Sequence, residues 1–256
     1  MRTEEEMVAY ALETTPSLLP YIPELLEDLE ELGSDAELIA RVVGNLELPA
    51  KASVIDLGCG KGAVSVELAE ECGHSVLGIE LFEPFLRSCR ELAVQRGVSE
   101  LCTFRHGDIL KLSGKLELAD VAIVAGLGDV IGRLDEAVAV IRRYVTSNGF
   151  IVISDPFIKD GGSAGFPGFE GYAEHAETVK RLTSCGDALI ETVRESDAHD
   201  EDDANEGELI RSRAEGLAER HPDLATELLE FAENQAAENT YIDENLIGAI
   251  WVLQRS

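Results

Sequence analysis

The sequence predicts an α/β fold built on a mostly parallel, Rossmann-like sheet. Three observations carry that expectation. Apolar runs of strand length alternate with amphipathic runs of helical length between residues 52 and 195. One junction between them is a glycine turn, Asp56-Leu57-Gly58-Cys59-Gly60-Lys61-Gly62. Acids stand at or just past the ends of the first three strands, at the edge where ligands of doubly wound sheets bind.

Residues 1–50 carry three helical patterns, at 4–12, 20–32 and 34–46, punctuated by Pro16, Pro20 and Pro23. Ser34 followed by Glu37 reads as a capping box. Residues 54–57 read as the tip of a buried first strand, and 63–71 as a helix with Val64, Leu68 and Ala69 at helical spacing. The second strand is 75–80, followed by a helix at 85–96 that Gly97 stops; the third strand is 101–105. Residues 120–125 form the fourth strand, and 134–145 a helix with Asn148-Gly149 as its stop. The fifth strand, 150–154, ends at Asp155-Pro156. A glycine-rich loop at 161–171, a helix at 175–184 and a sixth strand at 188–195 come next. Residues 197–208 are dense in acids and read as a solvated linker or a helix start. Two helices, 211–220 and 222–238, follow, with Pro222 suited to a first turn, and 246–253 is the seventh strand. The expected organisation is a helical arm (1–50), a core (51–195 with 243–256) and a helical insertion (196–242). A hairpin needs far fewer residues than that insertion, which implies a cap over the site or an oligomer interface; a homodimer stays open.

The glycine turn brings bare backbone N–H groups and a helix start close to a ligand. A Cβ there would block the turn or the approach. Gly58-x-Gly60-x-x-Ala63 also satisfies the dinucleotide fingerprint. Asp56 argues against that, because a carboxylate is a poor neighbour for a pyrophosphate and a good one for a cationic ligand. S-adenosylmethionine carries both an ammonium and a sulfonium. Glu80, 24 positions after Asp56, ends the second strand and suits both ribose hydroxyls. Gly107-Asp108-Ile109 follows the third strand. Asp108 there suits the adenine amino group, with Ile109 packing on the ring.

Asp-Leu-Gly-Cys-Gly-Lys-Gly, then Gly-Ile-Glu, then Gly-Asp-Ile resembles the class I S-adenosylmethionine-dependent methyltransferases over roughly residues 52–195 plus the last dozen. The resemblance implies a seven-stranded sheet whose last strand runs antiparallel between the fifth and sixth. It implies that Gly58, Gly60 and Gly62 line the methionine part of the donor, Glu80 the ribose and Asp108 the adenine. Cys59, Leu81 and Gly126 complete the expected donor set, although Cys59 also reads simply as a small residue in a tight space. The donor S-adenosyl-L-methionine would leave as S-adenosyl-L-homocysteine.

Composition narrows the acceptor. The net charge is −29, with 15 arginines and 6 lysines, a surface that repels nucleic acid and anionic membrane. The end of the fourth strand reads Ala125-Gly126-Leu127-Gly128. Methyltransferases acting on base amines commonly carry an Asn/Asp-Pro-Pro-aromatic tetrapeptide there. Both features point to a small-molecule acceptor. No apolar run approaches the ~20 residues of a membrane span, so a soluble cytoplasmic protein is expected. Five scattered cysteines and five scattered histidines give neither a disulfide framework nor a metal site. Asp129 is the candidate base and also reads as a helix cap. His175, Tyr10, Tyr21 and Tyr172 are candidates for the acceptor pocket and equally for packing. Two other readings stay open: a non-catalytic S-adenosylmethionine-binding protein, and a nicotinamide-dependent oxidoreductase using Glu80.

Overall fold

A computed structural model describes residues 2–195 and 200–256, with the side chains of 200–205 left out of the description. Seven strands form one sheet in the order β3-β2-β1-β4-β5-β9-β7. β1 (Ser53–Leu57), β2 (Ser75–Glu80), β3 (Cys102–His106), β4 (Ala119–Ala125) and β5 (Val145–Ser154) run parallel. β9 (Ala249–Gln254) lies antiparallel between β5 and β7 (Ala188–Arg194), as the resemblance implies. Helix α4 (Ala63–Cys72) follows β1 and α5 (Glu83–Gln95) follows β2. The single turn α6 (Ile109–Leu112) follows β3, and α7 (Leu134–Ile141) follows β4. Parallel strands need such crossovers.

Two apolar clusters cover the sheet faces. Ile55, Leu57, Ile151 and Trp251 meet Val138 and Ile141 of α7 on one side. Val54, Val76, Val121 and Val152 meet Leu68 of α4 and Ile39 of α3 (Ala36–Gly44) on the other. A strand buried on both faces reads as a near-continuous apolar run, and Val121 to Val124 does so.

Several elements differ from the sequence reading. The expected helix at 20–32 shrinks to α2 (Ile22–Leu25), because the next carbonyls turn to Lys61 instead of continuing the ladder. The N-cap of α3 is Asp35, which accepts from the Leu38 N–H at 2.7 Å, so the Ser34/Glu37 box is not the cap used. β5 starts at Val145, and Asn148, expected to end a helix, lies inside it at φ 66°. The seventh strand is split at Gly248: β8 (Leu246–Ile247) pairs with β6 (Phe157–Ile158), and β9 alone joins the main sheet. A side chain at Gly248 would collide with Glu195. Between β7 and β8 run α9 (Asp200–Arg220) and α10 (Ala225–Asn245); Pro222 lies in the turn between them rather than in a first helical turn. Of the acid-dense linker, 196–199 lie outside the described residues and the remainder belongs to α9.

The arm and the insertion share a third cluster. Leu18, Ile22 and Leu25 pack with Ala214 and Leu217 of α9 and with Leu228 and Phe231 of α10. Phe85 of α5 joins it, fixing both additions to the edge of the sheet that carries the glycine turn. Arg213 bridges Asp28 at 2.6 Å and Glu27 at 2.7 Å. Such exposed pairs are screened by solvent and contribute little, so the apolar contacts hold the arm.

Candidate functional site at the strand ends

β1 delivers Asp56 to the sheet edge as a buried carboxyl, 2% exposed, that accepts from Ser65 Oγ at 2.6 Å. Burial raises its pKa to about 6, and the nearby Glu80 charge adds to the rise. Ser65, on α4, carried no sequence signal of this role. The turn after β1 is closed by the Gly58 and Cys59 N–H groups donating to the Ile79 carbonyl at 2.8 and 3.0 Å. Gly58, Gly60 and Gly62 all have positive φ. At Gly62 a side chain would also meet the Cys89 backbone at 3.1 Å, so only glycine fits both the angle and the space.

Glu80 ends β2 and points back at the turn. Its Oε2 accepts from the Gly60 N–H at 3.0 Å, and Oε1 from the Leu81 and Phe82 N–H groups at 2.8 Å each. Burial raises its pKa; the three backbone donors oppose the rise. Leu81 packs against the arm cluster and its carbonyl contacts His106 Nε2 at 2.8 Å. Asp108 caps α6, accepting from the Leu110 N–H at 2.8 Å and pairing with Lys111 at 2.9 Å. Ile109 packs on the α7-side cluster and its carbonyl accepts from the Tyr144 hydroxyl. Cys59 is buried 4.0 Å from the Cys89 sulfur, and its pKa is raised by the Cys89 contact and by burial. That is an inert thiol filling space. Asp56, the glycine turn and Glu80 thus meet at one point, while Asp108 and Ile109 stand one strand further along the same edge.

Across the edge, β4 leads into Gly126-Leu127-Gly128-Asp129. Asp129 caps no helix, since α7 begins at Leu134. Its carboxylate instead accepts twice from the Tyr10 hydroxyl of α1 (Glu4–Ala11), at 2.7 and 2.8 Å. Beside it stands a pair the sequence reading did not join. Asp155, past the end of β5, accepts from the Tyr172 hydroxyl at 3.0 Å. The Asp155 carbonyl takes the Trp251 indole N–H at 2.8 Å. Burial pushes the Asp155 carboxyl up to about 7. Tyr172 reaches the strand-four turn, its hydroxyl 3.8 Å from where a Cβ on Gly128 would stand. The usable signal for Asp155 was its place at a strand end before a proline. His175 begins α8 (His175–Leu182) and packs edge-on against Phe157, 5.1 Å between centroids, and 5.3 Å from Trp251. Tyr21 packs on His221 at 4.7 Å. Among the described residues, no cluster of three or more metal-ligating side chains occurs, and no helix is long and apolar enough to cross a membrane.

The sequence profile described as "Methyltransferase domain" matches residues 49–209. A ribosomal protein L11 methyltransferase of Alkaliphilus metalliredigens is 26% identical over 46% of this chain and 34% of its own. A probable cobalt-precorrin-6B C(15)-methyltransferase of Methanothermobacter thermautotrophicus is 32% identical over 41% of this chain and 54% of its own. The chain therefore spans between a third and just over half of the curated relatives it matches. An S-adenosylmethionine-dependent methyltransferase of Geobacter sulfurreducens, solved with S-adenosylhomocysteine, shares the fold with a TM-score of 0.76 at 20% identity, covering 93% of this chain and 98% of that one. With the profile covering well over half of the sequence and the sheet order as found, the chain belongs to the class I S-adenosylmethionine-dependent methyltransferases.

Proposed function

We propose that this protein transfers a methyl group from S-adenosylmethionine to a small molecule that loses a proton as it is methylated. The observation carrying the proposal is the meeting of Asp56, the glycine turn and Glu80 at the carboxyl edge of the sheet. The residues fit the donor. Asp56 is a buried carboxyl whose described side-chain partner is a neutral hydroxyl, so a cationic ligand group would return it to the charged form. Glu80 holds two oxygens at the turn, suited to a pair of ribose hydroxyls. Asp108 would meet the adenine amino group and Ile109 the ring. Gly126 would border the donor at the end of β4, and Leu81 would flank the ribose. When bound, the donor supplies an electrophilic methyl on sulfur.

Displacement at that methyl needs alignment and a dry site more than it needs catalytic side chains. Asp155 and Tyr172 supply what remains. A carboxyl titrating near neutrality can take the acceptor's proton through the Tyr172 hydroxyl. Asp129, already engaged by Tyr10, instead joins the arm to the β4 turn. His175, held between Phe157 and Trp251, packs the wall behind. The net charge of −29 supports a small molecule over nucleic acid. Burial and then Asp155 raise the Tyr172 pKa, and Asp129 and Glu238 add to the rise; these acidic surroundings favour a basic acceptor such as an amine.

The test is S-adenosylhomocysteine release during incubation with donor and a panel of small amines, hydroxy acids and thiols, with a lysine-rich protein fraction as a separate arm. Turnover with a small amine is expected. Methylation of the protein fraction alone would overturn the small-molecule reading. Donor binding without turnover in any arm would favour a non-catalytic binding protein.

A further inference from the structure

The arm lies across the path into the donor site. The carbonyl oxygens of Leu32 and Gly33 stand 3.1 Å from the position a Cβ on Gly126 would take, and Leu32 Cδ1 stands 3.5 Å from the same position on Gly60. With Glu30 and Ser34, this segment leaves a cavity of about 30 Å³ against Asp56, Gly58 and Ala125. Small-molecule sites run to hundreds of Å³, so in this arrangement the segment leaves no room for the methionine part of the donor beside Asp56 and the glycine turn.

One side chain holds the segment down. After α2 stops at Leu25, the carbonyls of Leu26 (2.8 Å), Glu27 (3.4 Å) and Leu29 all accept from Lys61 Nζ. Carbonyls past a helix end need a donor, and here an ammonium from the glycine turn provides it. Lys61 has given up solvent to do so, and burial lowers its pKa. The other end of the segment is held at Glu30, which pairs with Arg96 of the loop after α5 at 2.8 Å, and at Glu31, which accepts from the Ala36 N–H at 3.2 Å. Glu80, meanwhile, spends its oxygens on the Gly60 N–H of the turn and on the Leu81 and Phe82 N–H groups that follow it.

We infer that residues 26–34 form a strap that shuts the donor site, that Lys61 is its latch, and that the donor enters only after the strap lifts. The inference rests on the donor site proposed above. Because strap closure and donor entry are mutually exclusive, whatever stabilises the latch weakens donor binding by the same factor. The glycine turn therefore has two tasks: its backbone faces the ligand, and its one charged side chain reports on the arm.

Two measurements on the full chain test this. The first is backbone hydrogen exchange of residues 26–34 without ligand, in the parent and in Lys61→Met, which keeps the stem and loses the three hydrogen bonds. Exchange at least about tenfold faster in Lys61→Met is expected, with β1 and β4 unchanged and Lys61→Arg close to the parent. Unchanged exchange would overturn the latch. The second is stopped-flow binding of S-adenosylhomocysteine to the unmodified protein, which needs no variant to fold. The observed rate should level off with ligand concentration, because strap opening precedes binding, and the plateau should rise at least about fivefold in Lys61→Met. A rate that climbs linearly over the accessible range would overturn the gate. If neither protein binds S-adenosylhomocysteine, the donor reading itself falls, and exchange alone then decides whether Lys61 holds the strap.

Discussion

The two halves of the carboxyl edge each hold a buried acid, and their settings differ. Asp56 ends β1 beside the glycine turn, with Ser65 as its partner and a pKa of about 6. Asp155 follows β5 beside the strand-four turn, with Tyr172 as its partner and a pKa of about 7. Ser65 lies nine residues from Asp56, on the next helix, whereas Tyr172 belongs to a loop that must fold back over the sheet. The first acid is made by local chain geometry, so it comes with the fold. The second depends on a loop outside the strand–helix repeat folding back, so it can differ between proteins that share the fold. A common donor and a variable acceptor call for that division.

Four experiments sharpen or break this comparison. The largest effect is expected on the acceptor side. Asp155→Asn keeps an oxygen to accept from Tyr172 and loses the titratable group. Turnover should fall by about 10²–10⁴-fold with S-adenosylhomocysteine affinity unchanged, and the rise of kcat with pH, centred near 7, should vanish. An equal loss of donor affinity would show that the two halves are not separable. Next comes the cluster that carries the arm. Phe231→Ala should cost about 3–5 kcal/mol within that cluster and raise hydrogen exchange in α1 and α10 before the sheet loosens. Simultaneous loosening of β4 would mean that cap and sheet unfold as one unit.

The third experiment addresses Glu80. If Glu80 holds the ribose as proposed, Glu80→Ala removes hydrogen bonds worth about 1.5–3 kcal/mol each, and donor affinity by calorimetry should drop at least tenfold. It also leaves the Gly60, Leu81 and Phe82 N–H groups without their acceptor, so a fall in melting temperature is expected with it. An unchanged dissociation constant would leave Glu80 a purely structural acid. The smallest effect concerns pH. A ligand ammonium near Asp56 favours the carboxylate, so the bound pKa lies below the free value of about 6. Affinity for S-adenosylhomocysteine should then be flat above pH 6 and fall by up to about tenfold per unit below it. Asp56→Asn should flatten that profile, and a profile unchanged by the substitution would separate Asp56 from the ligand.

What was legible in the sequence follows the same line. The strand–turn–helix of residues 53–72 could be read because apolar runs, three glycines and an acid all sit within one local stretch. The antiparallel last strand came through the resemblance, not through any local pattern. The expected helix at 20–32 failed because Lys61, more than thirty positions away, competes for its carbonyls. The Tyr10–Asp129 contact, across 119 residues, and the Asp155–Tyr172 pair, closed by a loop 17 residues long, were out of reach because spacing along the chain does not say how a loop folds back.

The shared cluster of arm and insertion has a consequence for how the chain is made. Leu18, Ile22 and Leu25 leave the ribosome roughly 200 residues ahead of Leu228 and Phe231, which bury them. Synthesis at about 5–20 residues per second leaves that apolar stripe without its native cover for about ten seconds or longer. During that interval the nascent arm is a sticky segment beside a sheet still being built, open to chaperones and to wrong partners. The shape of the mature cap therefore imposes an order on the assembly, with the arm waiting for α9 and α10 to follow it.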